Sequence, residues 1–139
     1  MASHLPMTLV ALTVAACNAT TPTPTPIDVR VDSTFELAIG QSVRVREPGV
    51  TIRLVSVLDD SRCPTGGQVR CVWAGNGRVR LQVERGDQTD TLDLNTMLDP
   101  RERPAGPLSI RLVALTPERT ESKAIPLRDY RATLVASVR

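Results

Sequence analysis

The chain has 139 residues, which is enough for one domain of ordinary size and argues against two. Its 17 basic and 15 acidic residues nearly balance, at a net charge of +2, and this argues against nucleic acid as a partner, because phosphate-binding surfaces need a clustered positive surplus. The only aromatic residues are Phe35, Trp73 and Tyr130, so the composition excludes an aromatic platform for bases and requires an aliphatic core.

The N-terminal residues have the character of an export leader. Residues 7–16 form an apolar run, which has the length of a signal-peptide core and is too short to cross a hydrocarbon layer of ~30 Å as a helix. The run ends in Val14-Ala15-Ala16-Cys17, which resembles the lipobox of bacterial lipoproteins, where small residues precede a cysteine that is diacylated before cleavage. The resemblance implies a signal peptide over residues 1–16 and a lipid on Cys17, which becomes the mature N-terminus.

A spacer separates this cysteine from the domain. Residues 17–26 read CNATTPTPTP, and the alternating Thr and Pro residues predict an extended, semi-rigid tether before a single domain over residues 27–139. We therefore expect an envelope protein whose partner is a membrane, through the lipid anchor. Asn18 is not the aspartate associated with inner-membrane retention, which favours the periplasmic face of the outer membrane in a Gram-negative cell and otherwise the outer face of the plasma membrane.

From Ile27 onward, apolar residues recur with a period of two, the spacing of strands that bury one face. The alternation is clearest at Val79, Leu81 and Val83, whose neighbours are charged or polar. Turn residues separate the predicted strands at Gly40-Gln41, Glu47-Pro48-Gly49 and Gly86-Asp87.

Other features interrupt or extend this pattern. The apolar phase shifts between Leu54 and Val55, which predicts a β-bulge. Residues 99–107 contain three prolines and are predicted to be a loop, and residues 117–126 form a connection that could hold a short helical turn. Strands are predicted over residues 108–115 and 130–138, the latter with every second residue from Tyr130 to Val138 facing the core.

These strands predict an all-β fold. Seven or eight short antiparallel strands with a turn about every ten residues are typical of a two-sheet sandwich of immunoglobulin-like or Greek-key type. A small β-barrel is the alternative.

The most distinctive motif is Asp60-Ser61-Arg62-Cys63-Pro64, followed by Cys71-Val72-Trp73-Ala74-Gly75. It resembles the D-S-R-C-P…C-x-W-x-G core of a family of uncharacterised bacterial proteins, many of them predicted lipoproteins, with an all-β domain; the resemblance implies no biochemical activity. With Cys17 lipidated, Cys63 and Cys71 remain as an even pair that export allows to oxidise. Their C-x7-C spacing fits neither redox nor zinc motifs, so we predict a structural disulfide.

The motif has a structural and a functional interpretation. In the structural one, Arg62 pairs with Asp59 or Asp60, Trp73 covers the disulfide, and the glycines at 75 and 77 supply positive φ angles. In the functional one, the stiffened loop is a partner-binding loop that presents Arg62, Arg70 and Trp73. Packing is the default of the two.

Catalytic and metal-binding patterns are weak. The sole histidine, His4, lies in the predicted leader, which removes Ser-His and Cys-His pairs and histidine metal sites from the mature chain. Asp59 and Asp60 alone are weak evidence for a Ca²⁺ site, and no cofactor or metal is predicted. Carboxylate chemistry stays formally open to a scattered set of acids: Asp59, Asp60, Glu84, Asp87, Asp90 and Asp93.

The sequence therefore predicts a membrane-anchored envelope lipoprotein that is not an enzyme and binds another envelope protein or has a structural role. A module that binds a small ligand or a metal is the alternative. An enzyme that uses carboxylates ranks below both.

Overall fold

A computed structural model of the protein describes residues 24–120 and 123–139, and these residues form two packed β-sheets with no α-helix. The alternating apolar residues produce this architecture, because each strand buries one face between the sheets. Nine strands are present in the described part of the chain: β1 Ile27–Val29, β2 Thr34–Ala38, β3 Ser42–Val45, β4 Val50–Asp60, β5 Gly77–Arg85, β6 Gln88–Asn95, β7 Glu102–Ala105, β8 Leu108–Thr116 and β9 Arg131–Val138.

The sheets have five and four strands, in the orders β1-β3-β4-β5-β6 and β2-β9-β8-β7. The predicted all-β sandwich is confirmed, and the sheets do not close into the alternative barrel. Two details of the prediction are wrong: the described residues hold nine strands rather than seven or eight, and β1 pairs with β3 in parallel, with Ile27 beside Val43. A short parallel pair arises because the chain crosses to the other sheet through β2 before it returns as β3.

The core lies between the sheets and is almost entirely aliphatic. Val79, Leu81 and Val83 are all fully buried, as their alternation predicts. The pattern predicted for β9 holds from Tyr130, directly before the strand, to Ala136, whereas Val138 is 62% exposed because it lies at the last position of the strand.

The predicted irregularity in β4 is present. The register against β5 shifts between Leu54 and Ser56, which is the expected bulge. The extra residue, Val55, is 40% exposed and does not face the core. The next buried residue of the strand is Val57, so the core-facing alternation resumes there.

The predicted loop over residues 99–107 is wrong in part, because it contains β7. Pro104 is tolerated in this strand because β7 lies at the edge of its sheet, where a missing N–H costs no interior hydrogen bond. The helical turn expected within residues 117–126 lies just beyond them, as a 3₁₀ turn over Leu127–Asp129.

The strands give the sandwich two different ends. At one end, which we call the turn end, tight connections such as Gly86-Asp87 and Gly106-Pro107 join neighbouring strands. At the other, the loop end, lie the connections 61–76 and 96–101 and the described parts of 117–130. Within the described ranges, no helix is long and apolar enough to cross a membrane.

Candidate functional site

An ion pair between Asp60 and Arg62 forms the base of the loop end. Asp60 is the last residue of β4, and Arg62 is two residues further on. The guanidinium Nε and Nη2 atoms each donate to one carboxylate oxygen, both at 2.7 Å. The two side chains are only 7% and 14% exposed, so this bidentate pair lies largely out of water.

The same pair connects the two sheets. Arg62 also donates to the carbonyl oxygen of Leu115 and, at 2.8 Å, to that of Pro117, which lie at the end of β8 and just after it. The hydroxyl of Tyr130, which directly precedes β9, donates to Asp60 Oδ2 at 2.8 Å. The loop after β4 is therefore attached to β8 and β9 of the opposite sheet.

This environment shifts the pKa values of the Asp60 carboxyl group and the Tyr130 hydroxyl group. Burial alone would raise the pKa of Asp60, but the hydrogen bonds from Arg62 and Tyr130 outweigh it and hold the pKa below its ordinary value. Burial, together with the hydrogen bond to Asp60, raises the pKa of Tyr130 to about 12. Asp60 is thus ionised and Tyr130 protonated across the physiological pH range, which keeps the network intact.

The predicted disulfide between Cys63 and Cys71 is present, with Cα atoms 5.9 Å apart. Backbone hydrogen bonds hold the strand-like flanks of its loop together: the N–H of Cys63 donates to Ala74 at 2.8 Å, and that of Ser61 donates to Asn76 at 2.8 Å. On the other side, Arg119 Nη1 donates to the Arg62 carbonyl at 2.9 Å. The loop is therefore fixed at both ends and against a third segment.

The two glycines of the motif serve different purposes. Gly75 has φ of +73°, as predicted, and a Cβ atom there would lie 1.9 Å from the carbonyl oxygen of Ser61. Gly77 was also expected to need a positive φ, which is wrong, since it begins β5 as an ordinary strand residue. A Cβ at Gly77 would lie 2.8 Å from Leu115 Cδ2, so close packing is what restricts this position.

Asn76, between these glycines, is a buried polar residue that sequence reasoning missed. Its side-chain amide donates to Asn95 at 2.8 Å, and its Oδ1 accepts from the backbone N–H groups of Met97 and Leu98 at 3.1 and 3.3 Å. It thereby fixes the 96–101 connection beside the disulfide loop. The sequence signal for a special role was an asparagine between two glycines at the start of a strand. That signal does not identify the hydrogen-bond partners, because they come from a distant segment of the chain.

The predicted partner-binding residues are placed differently from one another. Arg62 faces inward in the network described above, which supports its structural interpretation. Arg70 is exposed, and the side chain of Trp73 is 53% exposed. Three further apolar side chains of the loop end are also exposed. We call the four residues together the apolar tip: Val72, Trp73, Met97 and Leu98.

A shallow groove of about 400 Å³ lies beside this tip. Its lining includes the small or apolar residues Cys63, Ala74 and Val113 and the two cationic residues Arg101 and Arg119. The groove continues the exposed apolar surface from the disulfide loop toward β8.

Of the acids offered as metal ligands or catalysts, Asp59 and Asp60 line one hollow with Tyr130, whereas Asp93 is not part of its lining. Asp60 is occupied by Arg62 and Tyr130, whereas Asp59 is exposed. Asp93 pairs with Arg80 at 2.8 Å on a partly exposed surface. In the described ranges, no three His, Cys, Asp or Glu residues come together as a metal site.

The leader over residues 1–16, the lipidation site Cys17 and most of the tether lie outside the described residues. In comparisons with protein-family models, with curated proteins and with solved structures, the chain showed no match.

Proposed function

We propose that this chain is an exported bacterial lipoprotein, anchored in the cell envelope through lipid on Cys17, and that it is not an enzyme. In this proposal the β-sandwich is a rigid support, and its loop end is the surface that contacts another component of the envelope. The leader, the small residues before Cys17 and the Thr-Pro tether support the anchor.

The observation that carries the contact surface is the apolar tip. Val72 is fully exposed, and Met97 and Leu98 are each about half exposed, at 55% and 50%. These residues do not lie in unconstrained loops, because the disulfide and the Asn76 hydrogen bonds hold the backbone of the two connections that contain them. Apolar side chains that are both exposed and preorganised favour binding, since little conformational entropy is lost when they are covered.

The condition of the carboxylates supports a role without catalysis. Asp60 is the most buried of the acids considered, and its oxygens accept from Arg62 and Tyr130. An acid held ionised by two donors is a poor proton donor. Its role is to attach the loop to the opposite sheet.

The contact surface can be tested with a photo-crosslinking amino acid in living cells. We expect the residue to form adducts at Val72, in the apolar tip, and none at Asp87, an exposed position in the turn end. Both variants should accumulate to the level of the unmodified protein, because neither side chain is buried. Equal labelling at the two positions, or no adduct at Val72, would contradict the proposal.

A further inference from the structure

We propose that the component contacted by the apolar tip is the membrane itself: the tip inserts into the interface of the anionic bilayer leaflet that holds the anchor. This inference rests on the proposed lipid anchor and names the partner of the same surface. It follows from the direction of the chain, the distribution of exposed apolar residues and the chemistry of the tip.

The chain approaches the sandwich from the side of the loop end. β1 runs parallel to β3, and β3 runs away from the loop end, because β4 returns antiparallel to it and finishes there at Asp60. The N-terminal end of β1, at Ile27, therefore faces the loop end. A tether that enters from this side places the anchor and the apolar tip on the same side of the domain.

The lengths are compatible with this arrangement. Ile27 is level with Ile52 through Val43, and the eight residues from Ile52 to Asp60 correspond to roughly 26 Å of strand. The tether predicted over residues 17–26 would span about 28 Å if extended at ~3.1 Å per residue. A lipid on Cys17 can therefore lie level with the loop end.

Exposed apolar residues are concentrated at this end. Ten large apolar side chains are exposed in the described part of the chain, and six of them belong to the loop end: Val69, Val72, Trp73, Met97, Leu98 and Leu127. The turn end has only Val138. This concentration of exposed apolar residues at one end of the sandwich is what an end-on approach to a bilayer requires.

The side chains also have interfacial chemistry. Tryptophan is enriched at membrane interfaces, where its ring is accommodated by the apolar layer and its N–H by the polar one. Arg70 lies within the disulfide loop, and Arg101 lies in the connection that contains Met97. Arginines beside an apolar tip can reach lipid phosphates while their stems remain in apolar surroundings.

Trp73 provides a direct test, because it is the only tryptophan of the chain. The intact lipoprotein, with acyl chains on Cys17 verified by mass, is reconstituted into phosphatidylethanolamine–phosphatidylglycerol vesicles. We expect the Trp73 emission to shift to shorter wavelength, brominated acyl chains to quench it, and iodide to lose access to it. Val72→Asp should abolish most of the quenching by bromine. Val138→Asp, at an apolar position of the turn end that is 62% exposed, should leave the quenching unchanged.

The failures of the two proposals are distinguishable. If the acylated protein keeps Trp73 open to iodide and unquenched by bromine, the membrane contact is wrong and the anchor stands. A protein adduct rather than a phospholipid adduct at Val72 would then identify the partner class. If the mass shows no acyl chain, the anchor is wrong, and quenching of the same protein mixed with these vesicles decides the membrane contact by itself.

Discussion

The same strands are joined by short turns at one end of the sandwich and by long, constrained connections at the other. At the turn end, Gly86 and Asp87 join β5 to β6 with a two-residue connection, and a Cβ at Gly86 would meet no atom within 4 Å. At the loop end, the connection from β4 to β5 contains a disulfide, a buried ion pair and a glycine pressed against backbone. The difference shows that the long connection is not a loose insertion, because its shape is enforced by contacts to both sheets.

The largest effect should come from Gly75→Ala. The new Cβ would collide with the Ser61 carbonyl, and the residue would also have a left-handed φ, so we expect a loss of about 4 kcal/mol in the free energy of unfolding. Gly86→Ala is the matched control, with a similar φ of +56° and open space, and should lose only about 1 kcal/mol. Urea unfolding followed by circular dichroism measures both. Equal losses of unfolding free energy in the two variants would contradict the claim that the loop end is more tightly constrained than the turn end.

Breaking the buried ion pair should rank second. Asp60→Asn leaves the Arg62 charge without its carboxylate and should lower the free energy of unfolding by about 3 kcal/mol. Asp93→Asn, which breaks the more exposed pair with Arg80, should cost much less, because exposed ion pairs contribute little.

The pH dependence of stability provides a further check on Asp60. Its pKa is depressed in the folded state, so its contribution is present above the unfolded pKa of about 3.8 and is lost as the pH falls through the folded value. The acid limb of a stability curve should therefore become shallower in Asp60→Asn. An unchanged limb would show that the carboxylate is not held by Arg62 and Tyr130.

Removing the disulfide should have the third largest effect. The double variant Cys63→Ser, Cys71→Ser is expected to lose about 2.5 kcal/mol, the chain-entropy value for a loop with this sequence separation of 8. Because the loop flanks keep their hydrogen bonds, the strands should remain folded. Unfolding monitored with and without reductant in the unmodified protein gives an independent value, and no difference between the two would contradict the role of the disulfide.

How much of this could be predicted from the sequence differs between core and site. Period-two alternation placed Val79, Leu81 and Val83 correctly, because strand geometry is local. The ion pair of Arg62 with Asp60 was predictable, because the two residues are close in sequence, and the structure confirms it. The acceptors of Arg62 at Leu115 and Pro117 were not predictable, because they are 53 and 55 residues away. β7 was not predicted either, because its strand conformation depends on pairing with β8, which overrides the weak strand preference of a proline-rich segment.

A smaller effect is expected from Tyr130→Phe, which removes only the hydroxyl bonded to Asp60. We predict a loss of about 1.5 kcal/mol, as for a hydrogen bond to a charged group. The tyrosine pKa is raised from 10.0 to about 12, so its contribution is complete below pH 10 and is lost as the pH rises toward 12. Because Tyr130 is the only tyrosine, absorbance titration reads its pKa directly; a midpoint near 10 would contradict the buried hydrogen bond.

The smallest effect on folding should come from Trp73→Ala. The side chain is 53% exposed, so the free energy of unfolding should change by less than about 0.5 kcal/mol. Binding at the loop end should nevertheless be weakened, because the largest apolar group of the tip is removed. A large loss of stability, measured by thermal unfolding, would instead assign Trp73 to packing over the disulfide.

The intact mass of the protein extracted from membranes, with thiols alkylated before or after reduction, tests the central claim of an anchored protein with a disulfide-clamped loop end. We predict a chain that begins at Cys17, carries a diacyl or triacyl group, and exposes two thiols only after reduction. A chain that retains residues 1–16 without lipid, with Cys63 and Cys71 alkylated before reduction, would contradict it.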